Sequence, residues 1–231
     1  MEILFENREL LVINKPPYIP SQPDLSGDPD ALTLLRAKRG EGSAPLYLVH
    51  RLDRIVGGVL VFAKTKRAAA ALSDLVSRGA LGKTYLAVVD GASPAEGVLE
   101  DYLIRDARTS RAHSVPKERR GAKFASLSYK TLAVLNDGDR VLTLVSVTLG
   151  TGRFHQIRIQ FSTRGTPLLG DGKYGSRENR CSAALFAHSV RVPDKKGEKT
   201  VFALPDLTRY PWSLFADTLS LMGGSYDTET V

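Results

Sequence analysis

Cysteine is nearly missing from this chain: Cys181 is the only one in 231 residues. An intramolecular disulfide is therefore excluded, a thiolate metal cluster has a single cysteine to draw on and is poorly supported, and a reducing compartment is the default setting. Histidine is scarce as well, at four residues, and no H-E-x-x-H pattern occurs, so a zinc centre is poorly supported. There is no G-x-x-x-x-G-K-[ST] phosphate loop and no G-x-S-x-G nucleophile elbow. ATP-dependent, zinc-dependent and serine-hydrolase mechanisms thus lack the residues they need. No apolar run approaches the roughly 18 residues of a membrane span. The opening "MEILFENRELLVINKP" places acidic residues early, without the basic-then-apolar order of a secretion signal. Cytoplasm is the expected location, with no membrane partner.

Positive charge, by contrast, is plentiful. Lys and Arg number 32 against 25 Asp and Glu, a formal net charge of +7, which fits a polyanionic partner such as nucleic acid. The densest stretch is "RDARTSRAHSVPKERRGAK". It carries Arg105, Arg108, Arg111, Lys117, Arg119, Arg120 and Lys123 against Asp106 and Glu118. Such a stretch is either a solvated, mobile loop or an arm that grips phosphates.

Patterning predicts an α+β fold, a mixed but mostly antiparallel β-sheet core with flanking helices and loops. "ILFEN" and "LLVIN" flank Arg8-Glu9 as a hairpin, and residues 15–30 form a proline-rich loop. Asp30 or Thr33 can cap a short helix through Lys38. "LYLVHRLD" and "GVLVFAKT" read as strands or strand ends separated by Gly57-Gly58. "KRAAAALSDLVSRG" is a helix that Thr65 caps and Gly79 closes. "KTYLAVVDG" is a strand, and "FASLSYKTLAVL" and "RVLTLVSVTLG" flank an "NDGD" hairpin turn. "QIRIQF" alternates like a strand, yet Ile157 and Phe161 lie four apart and Gly165 and Pro167 follow, which favours a helix. "AALFAHSVRV" and "KTVFALP" pair around "PDKKGE". A short amphipathic helix near 211–222 closes a single domain of residues 1–222, and 223–231 is expected to be a flexible tail.

Two stretches are too specific for filler: "HRLDRIVGGVLVFAKT" and "LGTGRFHQIRIQFSTRGTPLLGDGKYG", with "LGKTYLAVVDG" between them. Here the chain resembles the RluA-type pseudouridine synthases. Their H-R-L-D motif, followed by S/G-G-x-x-x-x-A-K, stands at His50–Lys64, and K-x-Y-x-A at Lys83–Ala87. G-R-x-H-Q-I-R stands at Gly152–Arg158, and G-x-P-[IL]-x-G-D-x-x-Y-G at Gly165–Gly175. "LLVINKPPYIP" resembles the family's opening and "LFAHSVRV" its closing strand, so the likeness runs from about residue 3 to 205.

The resemblance implies the pseudouridine synthase catalytic fold and an isomerase that detaches uracil from its ribose, rotates it and rejoins it through C5. It implies RNA (ribosomal, transfer or both) as partner, no cofactor and no metal. The catalytic motif begins at residue 50, so no separate amino-terminal RNA-binding domain is expected, and a monomer is favoured. Asp53 is implied as the catalytic carboxylate, attacking C1′ or C6 or assisting proton removal from the sugar. Desolvation disfavours an ionised carboxylate, so a nearby guanidinium is needed. The family parallel assigns that to Arg158, with Arg153 as runner-up. Tyr85 is implied to stack on the target uracil and to serve in the final proton transfer. Arg51 is implied to enter the RNA stack in place of the flipped uridine.

Several of these residues have plainer readings. His50 can be a satisfied structural histidine or a substrate-binding one, and Ile157 and Leu168 can be core or uracil-pocket lining. Asp171, Lys173 and Tyr174 belong to a turn, with Lys173 free to touch phosphate. The chain departs from many family members at Gly57, Phe154 and Gln160, each the loss of a small polar or imidazole group. The competing reading is a non-catalytic RNA-binding protein on the same scaffold.

Overall fold

The structure is a computed structural model that describes residues 1–40, 42–194 and 197–226. In chain order, strands β1 (Glu2–Glu6) and β2 (Leu10–Lys15) precede helix α1 (Ala31–Arg39). A short β3 (Tyr47–Leu48), β4 (Gly57–Ala63), helix α2 (Lys66–Ser77) and β5 (Lys83–Asp90) follow. Next come β6 (Glu96–Asp106), β7 (Arg111–Val115), β8 (Lys123–Asp137) and β9 (Arg140–Leu149). Helix α3 (Gln156–Ser162), strands β10 (Leu185–Asp194) and β11 (Gly197–Phe202), and helix α4 (Ala216–Tyr226) complete the α+β chain. The chain divides into two compact units, Met1–Lys83 with Phe186–Ala203, and Thr84–Leu185 with Leu204–Val231. Helix α4 carries on past residue 222 into the segment expected to be a tail. Residues 227–231 lie outside the described residues.

The first unit is built on β4, whose seven residues are all buried, hence its unbroken apolar sequence GGVLVFA. Along one edge β2 runs antiparallel, from Leu10 opposite Ala63 to Lys15 opposite Gly58. Strand β1 extends this pair with a register shift between Ile3 and Phe5. On β4's other edge β3 pairs near its end, and β10 runs parallel at its start through Phe186–Gly57 and Ala187–Gly58. Gly58 has φ +113°, and a Cβ there would lie 2.1 Å from the Ala187 carbonyl oxygen. Only glycine permits that strand approach. Both helices start as their caps dictate: Asp30 accepts from Thr33 N (3.0 Å) and Thr65 from Ala68 N (3.1 Å). Each buries one side, Ala31 and Leu35 in α1, Ala68 and Leu72 in α2.

The second unit is an antiparallel array in the order β5-β9-β8-β6-β7. Its main core joins Leu86 and Val88 of β5, Leu142 and Leu144 of β9, Leu169, and Phe215 and Leu219 at the carboxyl end. Each such side chain contributes about 1.5–3 kcal/mol on leaving water. A second cluster (Leu103, Ala112, Ala125, Ile159 and Tyr174, with Phe154 against it) packs α3 and the 3-10 turn Gly172–Tyr174 onto one face of β6-β7-β8. The helix expected at "QIRIQF" is therefore present. Its residues Gln156–Phe161 are buried all round, which is why the segment shows no amphipathic stripe.

The basic stretch is not one continuous loop: Arg105, Arg111 and Lys123 lie on β6, β7 and β8, while Arg108 and Lys117, Arg119 and Arg120 lie in the connections 107–110 and 116–122. Strand β6 hides its alternation because its outward positions, Val98, Tyr102 and Ile104, are apolar too, while Leu99 and Leu103 are buried. Among the described residues no helix is long and apolar enough to cross a membrane.

Candidate active site

In the first unit, Asp53 sits half-buried on the turn between β3 and β4, where Val56 N donates to the Asp53 carbonyl (2.9 Å). Ser21 holds the preceding residue at both ends: its hydroxyl accepts from Leu52 N and donates to Leu52 O, each at 3.0 Å. Arg54 is turned outward to Asp24, Asp28 and Ser26. His50 is buried, and its Nε2 accepts from Val61 N at 3.3 Å. Burial, then the Lys83 ammonium, pull its pKa down to about 3, so it stands neutral and ties the turn to β4. Arg51 is exposed.

The residue that sequence reasoning passed over is Lys15. Its side chain is fully buried, and its ammonium donates to the carbonyls of Pro16 (2.8 Å), Ile19 (2.7 Å) and, more weakly, Arg54 (3.4 Å). One cation thus ties the proline-rich loop to the backbone beside Asp53. Its only signal in the sequence is the Lys-Pro pair of "INKPP". Burial pulls the Lys15 pKa down to about 8, against the opposing pull of the Asp53 carboxylate. The folded pKa lies below the ordinary 10.5, so the unfolded chain holds this proton more tightly between pH 8 and 10.5. Lys15 therefore adds stability as pH rises through that window. The melting-temperature gap between wild type and Lys15→Met should widen in wild type's favour across it. Parallel pH curves would show that Lys15 is not depressed.

In the second unit, Tyr85 lies on β5 opposite Val147 of β9 and is 8% exposed. Arg158, on α3, is buried, and its guanidinium grips Asp171 with two bonds, Nε to Oδ2 at 2.7 Å and Nη2 to Oδ1 at 2.8 Å. The sequence reading left Asp171 as part of a turn, and the structure makes it a bidentate partner of Arg158. The turn itself is closed by Tyr174 N and Ser176 N, both donating to the Asp171 carbonyl. The Arg158 guanidinium also lies 5.1 Å from the Tyr174 ring. The Tyr174 hydroxyl accepts from Ala112 N (2.7 Å) and stands 2.8 Å from His155 Nδ1.

His155 has a left-handed backbone, φ 52°. Burial, followed by the cations Arg158, Lys173 and Arg105, pulls its pKa down to about 3. Gln156 anchors the loop before the helix, accepting from Thr151 Oγ1 and Arg153 N and donating to Ser126 O. Gln160 donates to Leu99 O and Asp101. Phe154 stacks on His155 with ring centroids 3.8 Å apart, and Arg105 lies 4.4 Å over the Phe154 ring. Ile157 and Leu168, the expected uracil-pocket lining, are 4% and 0% exposed. Arg153 is exposed and donates to Phe124 O, and Lys173 donates to Ser110 O. Arg105, Arg108, Arg111, Lys117, Arg119, Arg120 and Lys123 are all exposed.

Residues 9–163 match the family model described as RNA pseudouridylate synthase, and the chain belongs to that family. It is 36% identical over 201 residues to "Uncharacterized RNA pseudouridine synthase YhcT" of Bacillus subtilis, covering 83% of this chain and 64% of that protein. "Ribosomal large subunit pseudouridine synthase D" of Zymomonas mobilis is 33% identical over 80% of this chain and 59% of its own length. The chain thus spans about three-fifths of the length of these two relatives. "Dual-specificity RNA pseudouridine synthase RluA" of Yersinia pestis is 31% identical, with 83% of this chain and 91% of that protein covered. Among solved structures, human RNA pseudouridylate synthase domain containing 1 is 27% identical with a TM-score of 0.71, over 91% of this chain and 85% of that one. Human domain containing 4 shares the fold at 23% identity and a TM-score of 0.73, over 95% and 93%.

Proposed function

We propose that the protein isomerises uridines of structured RNA, ribosomal or transfer, to pseudouridine, with Asp53 as the catalytic carboxylate. The observation that carries this is the Asp53 turn, clamped by Ser21, tied down through Lys15 and followed by a fully buried strand. Such support fixes a carboxylate in place before substrate arrives. In the reaction the N1–C1′ bond breaks, a C5–C1′ bond forms, the C5 hydrogen leaves as a proton to water, and N1 takes up a proton from water.

In this reading Tyr85 stacks on the uracil and takes part in the last proton transfer, and Arg158 supplies the buried positive charge. Arg51 fills the place of the flipped base, while Ile157 and Leu168 back the uracil pocket from the interior. The neutral His50 acts by holding the turn. Arg153, Lys173 and the cations of residues 105–123 meet the RNA backbone. The reading also takes the protein as a cytoplasmic monomer, with no metal or cofactor required. A ribosomal RNA target is favoured by the name of the Zymomonas relative.

The test is release of tritium to water from [5-³H]uridine-labelled RNA, with ribosomal and transfer RNA in separate pools. Release from at least one pool is expected. No release from either by folded protein would overturn the reading.

A further inference from the structure

The cations around β7 need only meet phosphates, yet the sheet face between them carries aromatic surface that phosphate binding does not require. Opposite registers place Val115, Tyr102 and Phe124 in one row across β7, β6 and β8, with His113 and Ile104 in the next. Alternation puts this row on the face away from α3, since Leu103, Ala112 and Ala125 pack toward the helix. The Tyr102 and Phe124 rings are 5.6 Å apart and tilted by 60°, and Phe124 is 39% exposed. Lys117 Nζ lies 6.0 Å from the Tyr102 ring centre. On this ribbon is a cavity of about 460 Å³ lined by Ile104, Val115 and Pro116 together with Arg105, His113 and Arg119. Asp106 also borders it, but its carboxylate is engaged by Arg108 N and Thr109 Oγ1. Arg153, in the loop before α3, donates to the Phe124 carbonyl and so fixes the start of β8.

We propose that this face is a platform for unpaired RNA flanking the modified uridine: one base stacks on Phe124 beside Tyr102, and a neighbouring nucleotide enters the cavity with its phosphate between His113 and Arg119. Exposed aromatics interleaved with cations on a sheet are how proteins hold single strands without reading sequence. The surrounding charge, Lys117, Arg119, Arg120 and Lys123 against Glu118, favours a polyanion over a protein partner. The proposal rests on the isomerase reading only in taking RNA as the substrate, so it is tested by binding rather than turnover.

The probes are a short fluorescein-labelled oligouridylate and heparin, a polyanion without bases. Phe124→Leu keeps apolar bulk but loses the ring, and it should weaken oligouridylate binding about tenfold while leaving heparin unchanged. Arg119→Gln should weaken both and flatten the salt dependence of each. Phe124→Trp keeps a stacking surface and should match or exceed wild type, which guards against misfolding of the leucine variant. Unchanged oligouridylate affinity in Phe124→Leu, or a loss shared equally by heparin, would overturn the platform. So would a Phe124→Trp protein as weak as Phe124→Leu. A protein that releases no tritium yet shows this binding pattern keeps the platform and loses the isomerase reading, and the reverse pattern does the opposite.

Discussion

Asp53→Asn should cut tritium release by roughly 10⁴-fold or more while leaving RNA affinity within experimental error. The substitution removes a charge and a nucleophilic oxygen but almost no volume. The bonds from Ser21 to Leu52 and from Val56 N to the Asp53 carbonyl meet backbone atoms, so these three do not depend on the carboxylate. The contacts proposed for RNA lie on exposed cations elsewhere, so binding has no reason to fall. Lys15 loses the neighbour that favours its charged form, so its pKa falls further below the ordinary value, and both assays belong near pH 7. Turnover that survives the substitution would remove Asp53 from the reaction. Turnover and binding that fall together would mean the residue is structural.

The second large effect is expected at Asp171. Its side chain is 1% exposed and that of Arg158 is 6% exposed, so their bidentate pair is held well away from water. Asp171→Leu leaves the buried guanidinium without that partner, which costs about 3–5 kcal/mol. For a chain of this size the melting temperature should drop by about 6–20 °C. Replacing both members, Arg158→Met with Asp171→Leu, should restore much of that stability, because apolar packing substitutes well for a buried ion pair. It should not restore tritium release if the Arg158 charge serves the reaction. An Asp171→Leu protein that melts with wild type would show that the pair carries no structural weight. A double variant with wild-type turnover would remove Arg158 from catalysis.

Much of the fold was legible because local signals agreed with tertiary environment. Strand β4 could be read from its unbroken apolar run, α2 from Thr65 and its alanines, and the β8–β9 hairpin from "NDGD". Where two environments conflict, the signal fails. The β6–β7 region resembled a basic loop because its solvent face mixes cations with Tyr102, Ile104 and Val115, and no period survives that mixture. The candidate site divides in the same way. Asp53 stands in a contiguous motif and could be singled out. The Arg158–Asp171 pair joins a helix to a turn thirteen residues on, and only the folded backbone reveals it. Lys15 shows the same limit, since one lysine before two prolines says nothing of three carbonyls around its ammonium. Phe154 registered in the sequence only as a departure from pattern. In the structure it fills the space between Arg105 and His155, linking the ribbon to the start of α3.

The first compact unit is assembled from residues 1–83 and 186–203. The parallel neighbour that Gly58 admits is therefore made long after β4 itself. At ordinary rates of protein synthesis, β10 leaves the ribosome about 6–25 s after β4. During that interval the start of β4 offers an open hydrogen-bonding edge on an apolar strand, the kind of edge that invites pairing with another chain. The nascent protein consequently passes through a window of vulnerability in which a chaperone, or rapid collapse of the intervening segment, decides between folding and aggregation.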